Sequence, residues 1–107
     1  MYIDKIKFER TGGFAGIRLA AEVDMDDIPE DQKREIIRLI DETDFDELPK
    51  KLSGKMPMPD EFVYSITVNS RGKEHAVLAG ESSLPNNLQP LIEVLERIAK
   101  IQMRKQD

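Results

Sequence analysis

Over residues 2–10 the chain alternates, with Ile6 and Phe8 on one side and Lys5, Lys7 and Glu9 on the other. A period of two is that of a strand with one face buried. Residues 17–24 alternate again, placing Ile17, Leu19, Ala21 and Val23 on one face. The period then changes. Ile36, Ile37 and Ile40 recur at helical spacing and predict a helix over 29–42. Pro29 supplies a fixed φ for the first turn, and Glu30 and Asp31 put negative charge at the positive end of the helix dipole. Phe45 and Leu48 are expected to pack after a short turn that Pro49 ends. Residues 49–60, with Pro49, Gly54, Pro57 and Pro59, read as a loop.

Strict alternation returns over 61–69, where Phe62, Tyr64, Ile66 and Val68 face inward. Ser70-Arg71-Gly72-Lys73 reads as a turn, and 74–80 as the returning strand. Leu88, Leu91, Ile92, Leu95, Ile98 and Ala99 then form one apolar helical stripe, with Asn86 or Asn87 as its cap and Pro90 tolerated in the first turn. Glu93–Arg97 and Glu96–Lys100 are expected as i,i+4 pairs on the wet side. The order β-β-α-β-β-α predicts an α+β fold, a four-stranded antiparallel sheet with two main helices packed on one face. Lys5, Lys7, Ser65, Thr67, Asn69 and His75 are expected on the opposite, water-facing side.

The join between the first two strands is unusual. Six residues, Thr11 to Gly16, make a long hairpin loop in which three glycines flank Phe14. Glycine serves a turn that needs positive φ; a phenylalanine at the tip serves no turn. Burying such a side chain against a partner is worth roughly 1.5–3 kcal/mol, and loop tips on a rigid sheet are common binding positions. By local sequence alone, a structural hairpin tip is the simpler account. A phosphate loop fits poorly, because these glycines lead into a strand and not into a helix N-terminus.

The remaining candidate chemistry is sparse. His75, the single histidine, reads as a half-exposed strand residue with no nucleophile or orienting group pointed to. Asp24, Asp26 and Asp27, and the run from Asp41 to Glu47, fall at turns and lack the glycine and terminal glutamate of a calcium loop. Lys50, Lys51 and Lys55 with Met56 and Met58 form a small basic segment, read as solvated or as a secondary contact.

The 107 residues suffice for one domain, 1–107, with a core that buries roughly 60–70% of the unfolded surface. There is no cysteine, hence no disulfide, thiol nucleophile or thiolate metal site. A net charge of −5, with 35% charged residues, argues against nucleic acid, whose affinity comes from Lys and Arg on phosphates. No apolar run approaches the ~18–20 residues of a membrane span. Residues 1–5 lack the apolar core of a signal peptide. The expectation is a cytoplasmic chain that meets neither membrane nor nucleic acid, with unconventional export left open.

The run Glu9-Arg10-Thr11-Gly12-Gly13-Phe14-Ala15-Gly16 resembles the signature loop of the emfourin-like proteins, inhibitors of thermolysin-like zinc metallopeptidases. Two further stretches carry the same resemblance. One is Tyr64-Ser65-Ile66-Thr67-Val68 with Gly72 and His75-Ala76-Val77. The other is Leu84-Pro85, Leu88, Pro90-Leu91-Ile92-Glu93 and Leu95. Residues 24–60 match only in pattern, and the extension after Ile98 is longer than the resemblance leads one to expect.

The resemblance implies a protease inhibitor without catalytic residues, metal or cofactor of its own, most simply a monomer, whose partner is a thermolysin-like metallopeptidase. The protease-binding set it implies is Arg10, Thr11, Gly12, Gly13, Phe14, Ala15 and Gly16. The rival from another class is a non-catalytic interaction or assembly module that uses the same loop on a non-protease partner.

Overall fold

The computed structural model describes residues 2–12, 18–52 and 61–105. Its elements are β1 (Lys5–Gly12), β2 (Leu19–Asp24), α1 (Glu30–Glu42), β3 (Lys51–Leu52), β4 (Phe62–Ser70), β5 (Lys73–Gly80) and α2 (Gln89–Lys105). The sheet order is β2-β1-β4-β5-β3. The four long strands are antiparallel neighbours, as the alternation predicts. β3 is an addition. Within the stretch expected to be all loop, Lys51 and Leu52 pair in parallel with Leu78 and Ala79, and the Leu78 N–H donates to the Lys50 carbonyl at 2.8 Å. Two residues are too few for a periodic signal, yet they cover part of the edge that β5 would otherwise leave unpaired.

Register puts Ile6 and Phe8, Leu19, Ala21 and Val23, Tyr64, Ile66 and Val68, and Val77 and Ala79 on one face. All are buried, together with Ile36, Leu39 and Ile40 of α1 and the α2 stripe Leu91, Ile92, Val94, Leu95, Ile98 and Ala99. The helices therefore lie on one face. Leu39 takes the fully buried place expected for Ile37, which is only partly covered. Asp44 turns at φ 50, and Phe45 then drops into the core.

His75 corrects an expectation. It lies directly opposite Val68, so it belongs to the helix-side face and not the watered one. Its ring meets Phe45 edge-on at 5.5 Å, and Nε2 lies 2.8 Å from the Leu48 carbonyl. Even spacing from the turn, not polarity, sets its side. The cap of the second helix is also corrected. Asn86–Leu88 forms a 3-10 turn of its own, and α2 begins directly after it at Gln89. Asn87 instead donates to the Glu42 carbonyl at the end of α1, at 3.4 Å.

The β4–β5 connection is the shortest possible. Ser70 pairs with Lys73, and Arg71 and Gly72 between them both have positive φ, 52° and 80°. That is the mirror-image two-residue turn whose twist matches its strands. At the far edge, β2 is covered by α2. The Gln102 side-chain amide donates to the Glu22 carbonyl at 3.0 Å and accepts from its N–H at 3.3 Å.

Candidate functional site

The pairing of β1 differs on its two sides. With β2 it stops at Arg10↔Leu19; with β4 it runs on to Thr11↔Val63 and Gly12↔Phe62. Thr11 and Gly12, expected in the loop, are thus strand residues, paired among the described residues with β4 only. Gly13, Phe14, Ala15, Gly16 and Ile17 lie outside the described residues.

Gly12 is glycine for two local reasons. Its φ is +86°, and a Cβ there would stand 2.6 Å from the carbonyl oxygen of Glu61. Glu61 is itself buried. Its carboxylate accepts from the Ser82 N–H and hydroxyl, each at 3.0 Å, and lies against Gly80, where a Cβ would meet it at 2.2 Å. Sequence reading missed this carboxylate, which sits one residue before the start of a strand among other charged residues.

An arginine and a glutamate brace each face of this hairpin end. On the outer face, Arg18 Nε and Nη2 both donate to Glu9 Oε2, at 2.9 and 2.6 Å. The pair is well exposed, and such pairs contribute about 0–1 kcal/mol. On the helix side, Arg10 pairs with Glu96 of α2, and these side chains are only 18% and 19% exposed. This overturns the expectation that Glu96 joins Lys100 on the wet side: Glu96 lies on the margin of the buried stripe, within reach of β1. The Arg10 guanidinium also lies 4.4 Å over the Phe62 ring, a cation–π contact. Arg10 Nε is buried with no hydrogen-bond partner among the described residues.

Tyr64, directly across from Arg10, completes the cluster. Its ring lies 6.4 Å from those of Phe8 and Phe62. Burial, more than the nearby Glu96 and Glu81 carboxylates, pushes its hydroxyl above the ordinary phenol value, and Arg10 opposes the shift.

Several elements meet at this end of the sheet. Gly12, Leu19, Phe62, Gly80 and Leu52 all fall there, so the chain leaves for 13–17 and for 53–60 from one margin. Lys50 and Lys51 are exposed on that margin, and Lys55 lies outside the described residues. Three strand spacings, roughly 14 Å, separate Lys51 from β1.

The other candidates recede. Among the described residues no group of three or more carboxylates and histidine is arranged to hold a metal. Asp24 Oδ1 instead accepts from the Asp26 N–H at 3.0 Å, an ordinary turn bond. A shallow hollow of about 410 Å³ on the outer sheet face is lined by Lys7, Glu9, Arg18, Glu22, Ser65 and Thr67 among others, and gathers no acid–base pair with a reactive group. No described helix is long and apolar enough to cross a membrane.

The fold and its hairpin thus define a small α+β domain that presents one end of its sheet. The Emfourin family model matches residues 8–96, and the chain belongs to that family. It is similar to emfourin (M4in) from Serratia proteamaculans, an M4 family peptidase inhibitor. The two share 22% identity over 86% of this chain and 85% of that one, with a TM-score of 0.45. No curated protein sequence matches.

Proposed function

We propose that this chain inhibits thermolysin-like zinc metallopeptidases by placing the hairpin end 11–16, the last two residues of β1 and the residues that follow them, in the active-site cleft. Membership of the Emfourin family over residues 8–96, a span that includes the hairpin and both its roots, carries the reading. The target class follows the family. Inhibition is its activity, and it catalyses nothing itself.

Phe14 is the anchor. Thermolysin-like enzymes favour a large apolar residue just after the scissile bond, and Phe14 is the one large apolar side chain among Thr11–Gly16. Gly13 lets the backbone approach the cleft floor, and Ala15 and Gly16 avoid clashes beyond it. Gly12 takes the exit from β1 at positive φ, where a Cβ would strike the Glu61 carbonyl, so only glycine fits this root. A loop rooted in paired strands loses less entropy on binding than a free segment does. One folded domain, as a monomer, occupies one cleft.

Steady-state hydrolysis of a peptide substrate by a thermolysin-like protease tests this. Competitive inhibition with a one-to-one complex is expected. Absence of inhibition at a large molar excess, or binding that leaves the cleft open to substrate, overturns it and leaves the loop as an assembly contact for another partner.

A further inference from the structure

We propose that Glu96 is a positioning residue for the inhibitory loop, acting through Arg10 to fix the loop's root against the start of β4. The inference rests on the reading of 11–16 as the binding loop. It is carried by the Arg10–Glu96 pair and its surroundings.

Arg10 stands two residues before Gly12, on the helix-side face of β1. Its guanidinium reaches two elements at once. It pairs with Glu96 on α2, and it covers Phe62, the residue opposite Gly12 and the first of β4. One side chain therefore ties the last part of β1 to the beginning of β4 and to the helix behind both. Segment 13–17 starts three residues after Arg10, and segment 53–60 ends two residues before Phe62.

Stability does not explain the choice of residues. The neighbouring side chains Phe8, Leu19 and Ile66 on this face are apolar, and replacing a largely buried ion pair by apolar residues of similar volume is often neutral or stabilising. Burying the Arg10 Nε with no partner among the described residues adds a further cost. The helix pairs Arg34–Glu30 and Arg38–Glu42 are by contrast exposed i,i+4 pairs on one element and constrain nothing beyond it. A directional, two-ended contact holds an angle where apolar packing permits sliding, and a loop that must enter a cleft needs its angle held.

Arg10 then belongs to the site as a holder and not as a protease contact. The two roles separate by experiment. The parent, Phe14→Ala, Glu96→Gln, Arg10→Met and the apolar pair Arg10→Met/Glu96→Leu are compared for association and dissociation rates with a thermolysin-like protease. Melting temperature and amide exchange at Gly12, Arg18 and Phe62 are measured alongside. Glu96→Gln and Arg10→Met are each expected to speed dissociation about tenfold, with association nearly unchanged and exchange faster at all three amides, whereas Phe14→Ala should weaken binding by more than that and leave the three amides as protected as in the parent. The apolar pair should melt at or above the parent temperature and still dissociate about tenfold faster.

Loss on Arg10→Met with none on Glu96→Gln means that Arg10 touches the protease, and the proposal falls. A lower melting temperature with unchanged dissociation overturns it equally. Should the parent itself fail to inhibit, the functional reading falls, and amide exchange alone decides whether the pair roots the loop: unchanged protection in Glu96→Gln refutes it.

Discussion

The two hairpins of this sheet solve one problem in opposite ways. β4 and β5 are joined by Arg71 and Gly72 alone, both at positive φ, in a turn whose handedness suits its strands. Its named supports are exposed contacts with the residues just before β1. The Arg71 N–H donates to Asp4 at 2.7 Å, and the Ser70 hydroxyl donates to the Tyr2 carbonyl. β1 and β2 are joined by a longer segment, and its roots are held largely by covered groups, Glu96 on α2 and Phe62 and Glu61 at the head of β4, with the exposed Arg18–Glu9 pair inside the hairpin on the outer face. A minimal turn holds its own shape. The roots of the longer connection draw on buried polar groups, Arg10, Glu96 and Glu61, at the end of the molecule proposed above to meet the protease.

The sharpest break in the comparison is Phe14→Ala. Inhibition should weaken by roughly 2–4 kcal/mol, the range of an anchor in a closed pocket, with the melting temperature unmoved. Arg71→Asn, at the other tip, should leave the inhibition constant as it was. Equal inhibition by the Phe14 variant would remove the functional difference between the hairpins.

Next come the two glycines. At Gly12 a Cβ meets both a positive φ and the Glu61 carbonyl; at Gly72 it meets positive φ and open space. Gly72→Ala should cost about 1 kcal/mol, the strain of a left-handed residue, and Gly12→Ala about 2–3 kcal/mol. Urea unfolding measures both. Equal costs would mean that the Glu61 backbone yields freely.

Alkaline titration gives a smaller contrast. The phenols at both ends are raised, Tyr64 chiefly by burial and Tyr2 chiefly by its hydrogen bond with Asp4 on an exposed surface. A phenol raised on folding stabilises the native state below its unfolded value of 10.0, and that contribution is lost as pH rises past it. Tyr64→Phe should flatten the loss of stability above pH 10, while Tyr2→Phe should barely alter it. Thermal melts at successive pH values test this, and identical slopes for the two variants would contradict the assignment to burial.

The smallest effect concerns Lys50, Lys51 and Lys55. Neutralising all three should slow association several-fold at low salt and leave dissociation alone. A rim charge mainly steers encounter, and its field is screened within about 10 Å at 0.1 M. Faster dissociation would instead make this segment a central contact.

The strands and helices were legible because burial imposes a period. Ile6 and Phe8, Tyr64 through Val68, and Leu88 through Ala99 fall where alternation or the helical stripe puts them. The exceptions share a cause. His75 sits on the helix side because register outranks polarity, and β3 is too short to carry a period. Glu96 looks like a surface partner for Lys100 on a helical wheel, and only the approach of β1, 86 residues distant, makes it the partner of Arg10. Of the loop, the glycines and Phe14 were visible as composition, whereas its supports, Glu61 above all, were not. Contacts made across the sheet leave no local pattern.

The Gln102 amide has a consequence in time. It supplies the Glu22 N–H and carbonyl on the outer edge of β2 with the bonds that a neighbouring strand would give. Its partner precedes it by 80 residues. At ribosomal speeds of about 5–20 residues per second, that interval lasts roughly 4–16 s. Through that interval the Glu22 N–H and carbonyl have been synthesised and the side chain that covers them in the folded chain has not.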